Sequence, residues 1–233
     1  MPGLIDFLAA TAAFVLGHLV LSSQPLRAPL VERLGENGFR ALYAVMMLAA
    51  FVWMLLAYGR APRSDLWLPP DWTRWVAVAL MPLASFLVVG GLTTASPTLV
   101  GGDKAIEKAG SRTVVQGCLT ISRHCFLGGT ALWALLHLLA NGDDATIVLA
   151  GGILVLSLAG MWHIDQRRQA SLGAAWGPVQ LTTSRLPFLA ALQGRTRVDW
   201  RGIGWWRPLL ALLLYLLLLF GHPHIAGVPV IYH

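Results

Sequence analysis

The chain has 233 residues, 56% of them hydrophobic and only 12% charged, with a mean hydropathy of +0.65 and a net charge of +6. An ordinary soluble domain carries about 25% charged residues, so this composition excludes one. The apolar residues fall in runs long enough to cross a bilayer, each crossing needing about 20 residues.

Six runs stand out: about 3 to 21, 39 to 58, 74 to 92, 125 to 140, 145 to 162 and 208 to 221. They predict an all-α fold, a polytopic membrane helical bundle of about six transmembrane helices, with residues 1–233 as one integral membrane domain. The first run has no basic residue before it and contains Asp6. A cleaved signal peptide needs a positive leading region, so this run is expected to stay as the first span.

The loop after it, SSQPLRAPLVERLGENGFRALY, opens on a turn signal. It then places Leu26, Leu30, Val31 and Leu34 on a short amphipathic stretch, as suits a helix lying among headgroups. The second loop sets Trp67, Trp72 and Trp75 at a span edge, the position of interfacial anchors. The third connection, TTASPTLVGGDKAIEKAGSRT, is Gly-rich but has neither the GK[ST] ending of a phosphate loop nor a GxGxxG turn, and takes no nucleotide role. ANGDDA between the fourth and fifth runs is a tight turn, so those two helices form an antiparallel hairpin. The fifth connection exceeds forty residues and is too rich in aromatic and aliphatic side chains for disorder. It is expected to fold as a cytoplasmic cap or re-entrant segment.

Lysine and arginine accumulate on the cytoplasmic side of short loops. Of the seventeen basic residues, fourteen lie in the first, third and fifth connections; the other three are Arg60, Arg63 and Arg74 in the second. Both termini therefore face away from the cytoplasm, the periplasm in a bacterial inner membrane. The excess charge reflects topology and contact with the lipid bilayer; no aromatic-plus-basic nucleic-acid module is present. Cys118 and Cys125, seven residues apart, would lie ~10 Å apart on one helix, beyond disulfide reach. They are read as free thiols without zinc spacing.

Histidine inside hydrocarbon is a functional hypothesis by default. The alternative is a packing hydrogen bond between helices. His18 lies in the first span beside Gly17, where a missing side chain lets a flat macrocycle approach. His137 lies deep in the fourth span. Two imidazoles on different helices are the simplest way for a bundle to hold haem iron axially. His124 and His137 are thirteen positions apart, about 140° around one helix and ~20 Å along it. They cannot serve one ligand. By depth His18, near the cytoplasmic end of its span, pairs with His124; His137 sits near the opposite end. His163, beside Asp165, is read as an interfacial or capping residue at the exit of the fifth span. His222 and His224, in GHPH, offer only two spaced imidazoles. No Ser-His-Asp order, HExxH or paired carboxylate spacing points to hydrolysis.

GHLVLSSQPLRAPLVERLGENGFRALY, AYGRAP followed by LW, and SRHCFLGGTALWALLHLLANGD together resemble the NnrU family of bacterial inner-membrane proteins, over essentially the whole chain. The resemblance implies a multi-span protein linked to denitrification, supporting nitric oxide or nitrite reduction, with respiratory nitrogen-oxide reductase components as partners. The same segments are more distantly similar to zeta-carotene isomerases, membrane enzymes with haem b. That similarity implies haem b as cofactor, His18 and His137 as iron ligands, and His124 on the histidine of an RHP motif. Ala134 stands where the isomerase has an alternative cysteine ligand, and Cys125 where it has the motif's proline. His137 and His124 remain competing partners for His18. A weaker likeness, RH with LGAAWGPVQLTTSRLP, is to isoprenylcysteine methyltransferase-like membrane proteins. It implies S-adenosylmethionine binding that involves His124, Asp165 and Arg185. A third reading is a cofactor-free assembly or scaffold protein for respiratory reductases.

Overall fold

The computed structural model describes residues 2–98 and 115–230. Residues 99–114, most of the Gly-rich third connection with Lys104, Lys108 and Arg112, and His233 at the C-terminus lie outside the described residues. Long helices are α1 (Pro2–Ser22), α2 (Gln24–Tyr58), α3 (Asp71–Thr93), α4 (Cys125–Ala140), α5 (Asp144–Leu172) and α6 (Trp206–Ala226). Five are long and apolar enough to cross a membrane, and α4 is a shorter apolar helix. At ~24 Å its 16 residues fall short of a hydrocarbon core of about 30 Å. The preceding segment 117–124 makes up the length as irregular backbone, which is tolerated at that depth because every residue of it is buried in protein.

Local chemistry sets the ends. Asp143 accepts from the Thr146 N–H at 2.8 Å and caps α5, while Gly173 closes it at φ 52°. Leu8, Leu16, Leu48, Leu158, Leu217 and Phe220 point outward, as lipid-facing side chains do. Helix α2 differs from expectation. The headgroup-level stretch and the second span form one helix interrupted at Gly35 (φ 71°, ψ 164°), a conformation that only glycine takes without strain. Helix α5 also differs, running about ten residues past the expected exit at His163 to Leu172. His163 and Asp165 therefore lie within a helix, and neither is a cap.

The principal contacts run in a row: α2 packs on α1, α1 on α5, α5 on α4, α4 on α3, and α3 on α6. Small residues bring the backbones together, the usual device where lipid removes the hydrophobic drive for helix association. A Cβ on Gly129 would lie 2.8 Å from the Ala84 carbonyl oxygen, and one on Gly91 would lie 2.7 Å from Phe126 Cα. On the other side, the space beside Gly152 is filled by the Thr11 methyl group, and Thr130 Oγ1 shares a 2.8 Å hydrogen bond with Ser157 Oγ. Gly17 serves the same purpose. Its missing Cβ accommodates Met47 of α2, so it is a helix contact and not an approach surface for a macrocycle.

The two ends of the bundle are built differently. At one end Gly3 sits against the Arg60 carbonyl, Arg63 donates to the Ala226 carbonyl, and Ser64 N–H donates to Asp144. Both termini, the second loop and the α4–α5 turn therefore share that end. At the other, residues 173–205 form short helical turns whose Trp176, Val179, Ala190 and Ile203 are buried. The long fifth connection is thus a folded cap. Its backbone bonds the segment before α4, through Arg123 N–H to the Ser184 carbonyl (3.0 Å) and Phe188 N–H to the Ile121 carbonyl (2.8 Å).

Gly91→Leu is expected to cost at least ~1–3 kcal/mol by forcing α3 and α4 apart, seen as a lower unfolding midpoint in detergent. Gly151→Ala, whose Cβ meets nothing within 4 Å, should leave that midpoint unchanged or raise it. A reporter enzyme active only outside the cytoplasm should work when fused at either terminus and fail within residues 173–205; the reverse pattern would invert the orientation.

Candidate functional site

Asp165, in α5, is the only acidic side chain among the buried described residues, at 1% exposure. Three cationic or donor groups converge on it. Arg123 donates from Nε to both carboxylate oxygens (3.0 and 3.1 Å) and from NH2 to Oδ2 (2.8 Å). Arg185 donates from Nε to Oδ2 at 2.6 Å, and His124 Nε2 lies 2.8 Å from Oδ1. An ionised carboxylate only accepts, so His124 carries its proton on Nε2 and keeps its lone pair on Nδ1. The backbone geometry follows from the same segment: Ser122 Oγ donates to the Arg185 carbonyl, and Thr98 Oγ1 donates to the Arg123 carbonyl.

Beside this cluster lies a cavity of about 290 Å³, at the small end of the ~300–1,000 Å³ typical of small-molecule sites. His18 from α1 lines it, together with Gly91 of α3, Thr94 just past that helix, Cys118, His124 and Ile164 of α5. His18 Nδ1 lies 2.8 Å from the Phe14 carbonyl, which makes Nδ1–H the donor and leaves Nε2 as an acceptor. Its ring is held edge-on between Phe14 and Tyr43. An imidazole tied to a backbone carbonyl through one nitrogen is oriented to bind a metal through the other.

The structure brings His18 and His124 to one cavity and keeps His137 away from it. Gly152 stands level with Thr11 and Ser157 with Thr130, so both helices can be referred to α5. His18 lies seven residues beyond Thr11 toward the capped end, and His137 lies seven beyond Thr130 toward the end with the termini. The two therefore differ in depth by nine residues of α5, ~13 Å. Two ligands of one iron must lie within ~4 Å. In this arrangement His18 and His137 do not form an axial pair, whereas His18 and His124 share a wall with one free nitrogen each. Among the described residues, no group of three or more His, Cys, Asp or Glu is placed to hold a metal. His18 and His124 are thus the two imidazoles that line this cavity.

Both cysteines are free and buried, as expected, but not for the reason of helical spacing. Cys118 sits in the turn Gly117–Thr120 and Cys125 begins α4, and the intervening turn folds them together, with Cys125 Sγ donating to the Cys118 carbonyl at 2.9 Å. Sequence reading did not foresee the Arg123–Asp165 pair. Its one available signal was a lone aspartate beside two arginines at the end of an apolar run.

Comparison with known proteins follows the same lines. A family model described as NnrU protein matches residues 6–230. The chain is 26% identical over 196 residues to the chloroplastic 15-cis-zeta-carotene isomerase of Zea mays, covering 83% of this chain and 52% of that protein. It is 29% identical over 91 residues to the Arabidopsis thaliana isomerase of the same description, covering 39% of this chain and 25% of that one. The chain spans about half the length, or less, of these curated relatives. No solved structure matches.

Removing the buried anion should be the most damaging change in this region. Asp165→Ala leaves Arg123 and Arg185 facing each other without compensation, an expected loss of about 3–5 kcal/mol, measurable as a lower unfolding midpoint. Arg123→Met combined with Asp165→Leu should be less destabilised than Asp165→Ala alone; equal loss would show that the charges contribute little.

Proposed function

Because the chain belongs to the NnrU family, we propose that it is a haem b-binding, multi-pass inner-membrane protein with redox or isomerase-like chemistry, its iron held by His18 at the capped end. The observation that carries this reading is the His18 ring on the cavity wall, its Nδ1–H committed to Phe14 and its Nε2 free. The likeness to zeta-carotene isomerases supports isomerase-like chemistry within a membrane. The family's link to denitrification supports a setting of nitric oxide or nitrite reduction beside respiratory nitrogen-oxide reductase components. Bound there, haem b would supply an iron centre for electron transfer or for polarising a bound substrate.

The chain's own residues divide the remaining work. His18 would hold the iron through Nε2, and His124, fixed by Asp165, would offer Nδ1 as the second ligand. Asp165 pairs with both Arg123 and Arg185, one negative charge against two positive, so the cavity's border keeps an excess of positive charge. The apolar lining from Phe126, Leu127 and Ile164 excludes water.

One observation favours a second reading. His124, Asp165 and Arg185, the residues that the methyltransferase likeness singles out, meet within hydrogen-bond distance. That reading takes S-adenosylmethionine as the ligand of the capped end.

Purified in detergent after expression with adequate haem, the protein should show a Soret band. His18→Ala should remove it, His124→Ala should shift it or weaken it, and His137→Ala should leave it in place. A colourless preparation would reject haem. Saturable S-adenosylmethionine binding in such a preparation, weakened by His124→Ala, would install the second reading.

A further inference from the structure

The other end of the bundle carries a second pair of imidazoles. His137 of α4 and His222 of α6 have ring centroids 6.5 Å apart, with planes 22° from parallel. Each has its Nδ1 beside a backbone carbonyl, His137 at 2.9 Å from Trp133 and His222 at 2.7 Å from Val228. A carbonyl only accepts, so both rings donate from Nδ1, and the neutral form of each keeps its lone pair on Nε2. This is the tautomer and orientation of metal-bound histidine. Bonds of about 2.0–2.1 Å from one ion place facing nitrogens up to ~4 Å apart. With each ring centre lying a ring radius behind its nitrogen, a centroid separation of 6.5 Å is the span that two imidazoles on opposite sides of one ion would need. The Trp133 indole, 4.1 Å from the His137 ring, fixes one side of the pair.

We propose that His137 and His222 bind a first-row transition-metal ion of imidazole preference, with its remaining positions filled by water or an added ligand. The site is separate from the His18 cavity and goes beyond the haem reading. It joins α4 to α6, two helices whose main packing is on α3 and not on each other. An ion there would staple the end that carries the termini. Imidazole donors favour copper, nickel and zinc over magnesium or manganese, with copper the tightest. The ion's need for unprotonated nitrogen makes binding fall away in acid.

The test uses full-length protein in detergent, stripped with chelator and titrated with Cu²⁺ or Zn²⁺, reading bound metal by elemental analysis and the unfolding midpoint. One equivalent should bind, the midpoint should rise, and Mg²⁺ should do neither. His137→Ala and His222→Ala should each weaken binding at least tenfold and remove the rise, while His224→Ala should retain both. His222→Gln, which keeps a polar side chain, should elute as a single species yet fail to bind, separating ligation from misfolding. Equal binding by wild type and His222→Gln, or loss only in His224→Ala, would overturn the proposal. So would a Soret band lost in His137→Ala and His222→Ala but kept in His18→Ala, since haem iron would then occupy this pair. Failure of the haem reading, a colourless protein, leaves the metal titration unaffected.

Discussion

The capped end of this bundle depends on one buried carboxylate. Two arginines at the edge of an apolar bundle are costly unless an anion meets them, and Asp165 meets both while also fixing His124. Through those bonds α5 holds the residues immediately before α4 and the bend around Arg185 in the fifth connection. The carboxylate is therefore less a reactive group than the fixture that gives the cavity wall its shape. All its acceptor capacity is already used by protein donors.

Close packing does the complementary work in the membrane. Gly91 and Gly129 let α3 and α4 touch backbone to backbone, and Gly152 lets α5 meet α1. Those contacts fix the relative heights of helices that are distant in sequence. As a result His18 and His124 share one level, while His137 joins His222 at another. A bundle of six helices thus carries two separate histidine pairs, one near each surface, instead of one pair in the middle.

Several features were legible beforehand because they depend on local residue counts. The positions of the apolar helices follow from the length of the apolar runs. The separation of His124 from His137 follows from thirteen residues of helical rise. The folded nature of the fifth connection was visible in its tryptophans and leucines, since Trp176 and Val179 could not stay solvated. Three readings failed for one common reason. Gly17 was read against a macrocycle and instead faces Met47, Asp165 was read beside a helix exit and instead lies inside α5, and the cysteines were placed on one helix that a turn in fact divides. Each depended on a neighbour that is remote along the chain.

The sequence by itself determined that this is a helical membrane protein and where its apolar helices lie along the chain. These are set by hydrophobic length and by rise per residue, both properties of a single segment. Only the tertiary structure decided which histidines share a cavity, which arginines meet Asp165 and which helices are neighbours. In lipid no bulk hydrophobic force ranks one helix pairing over another, so the order α2, α1, α5, α4, α3, α6 rests on small-residue fit and a few polar bonds. That fit is a property of two surfaces together and is written in neither run alone.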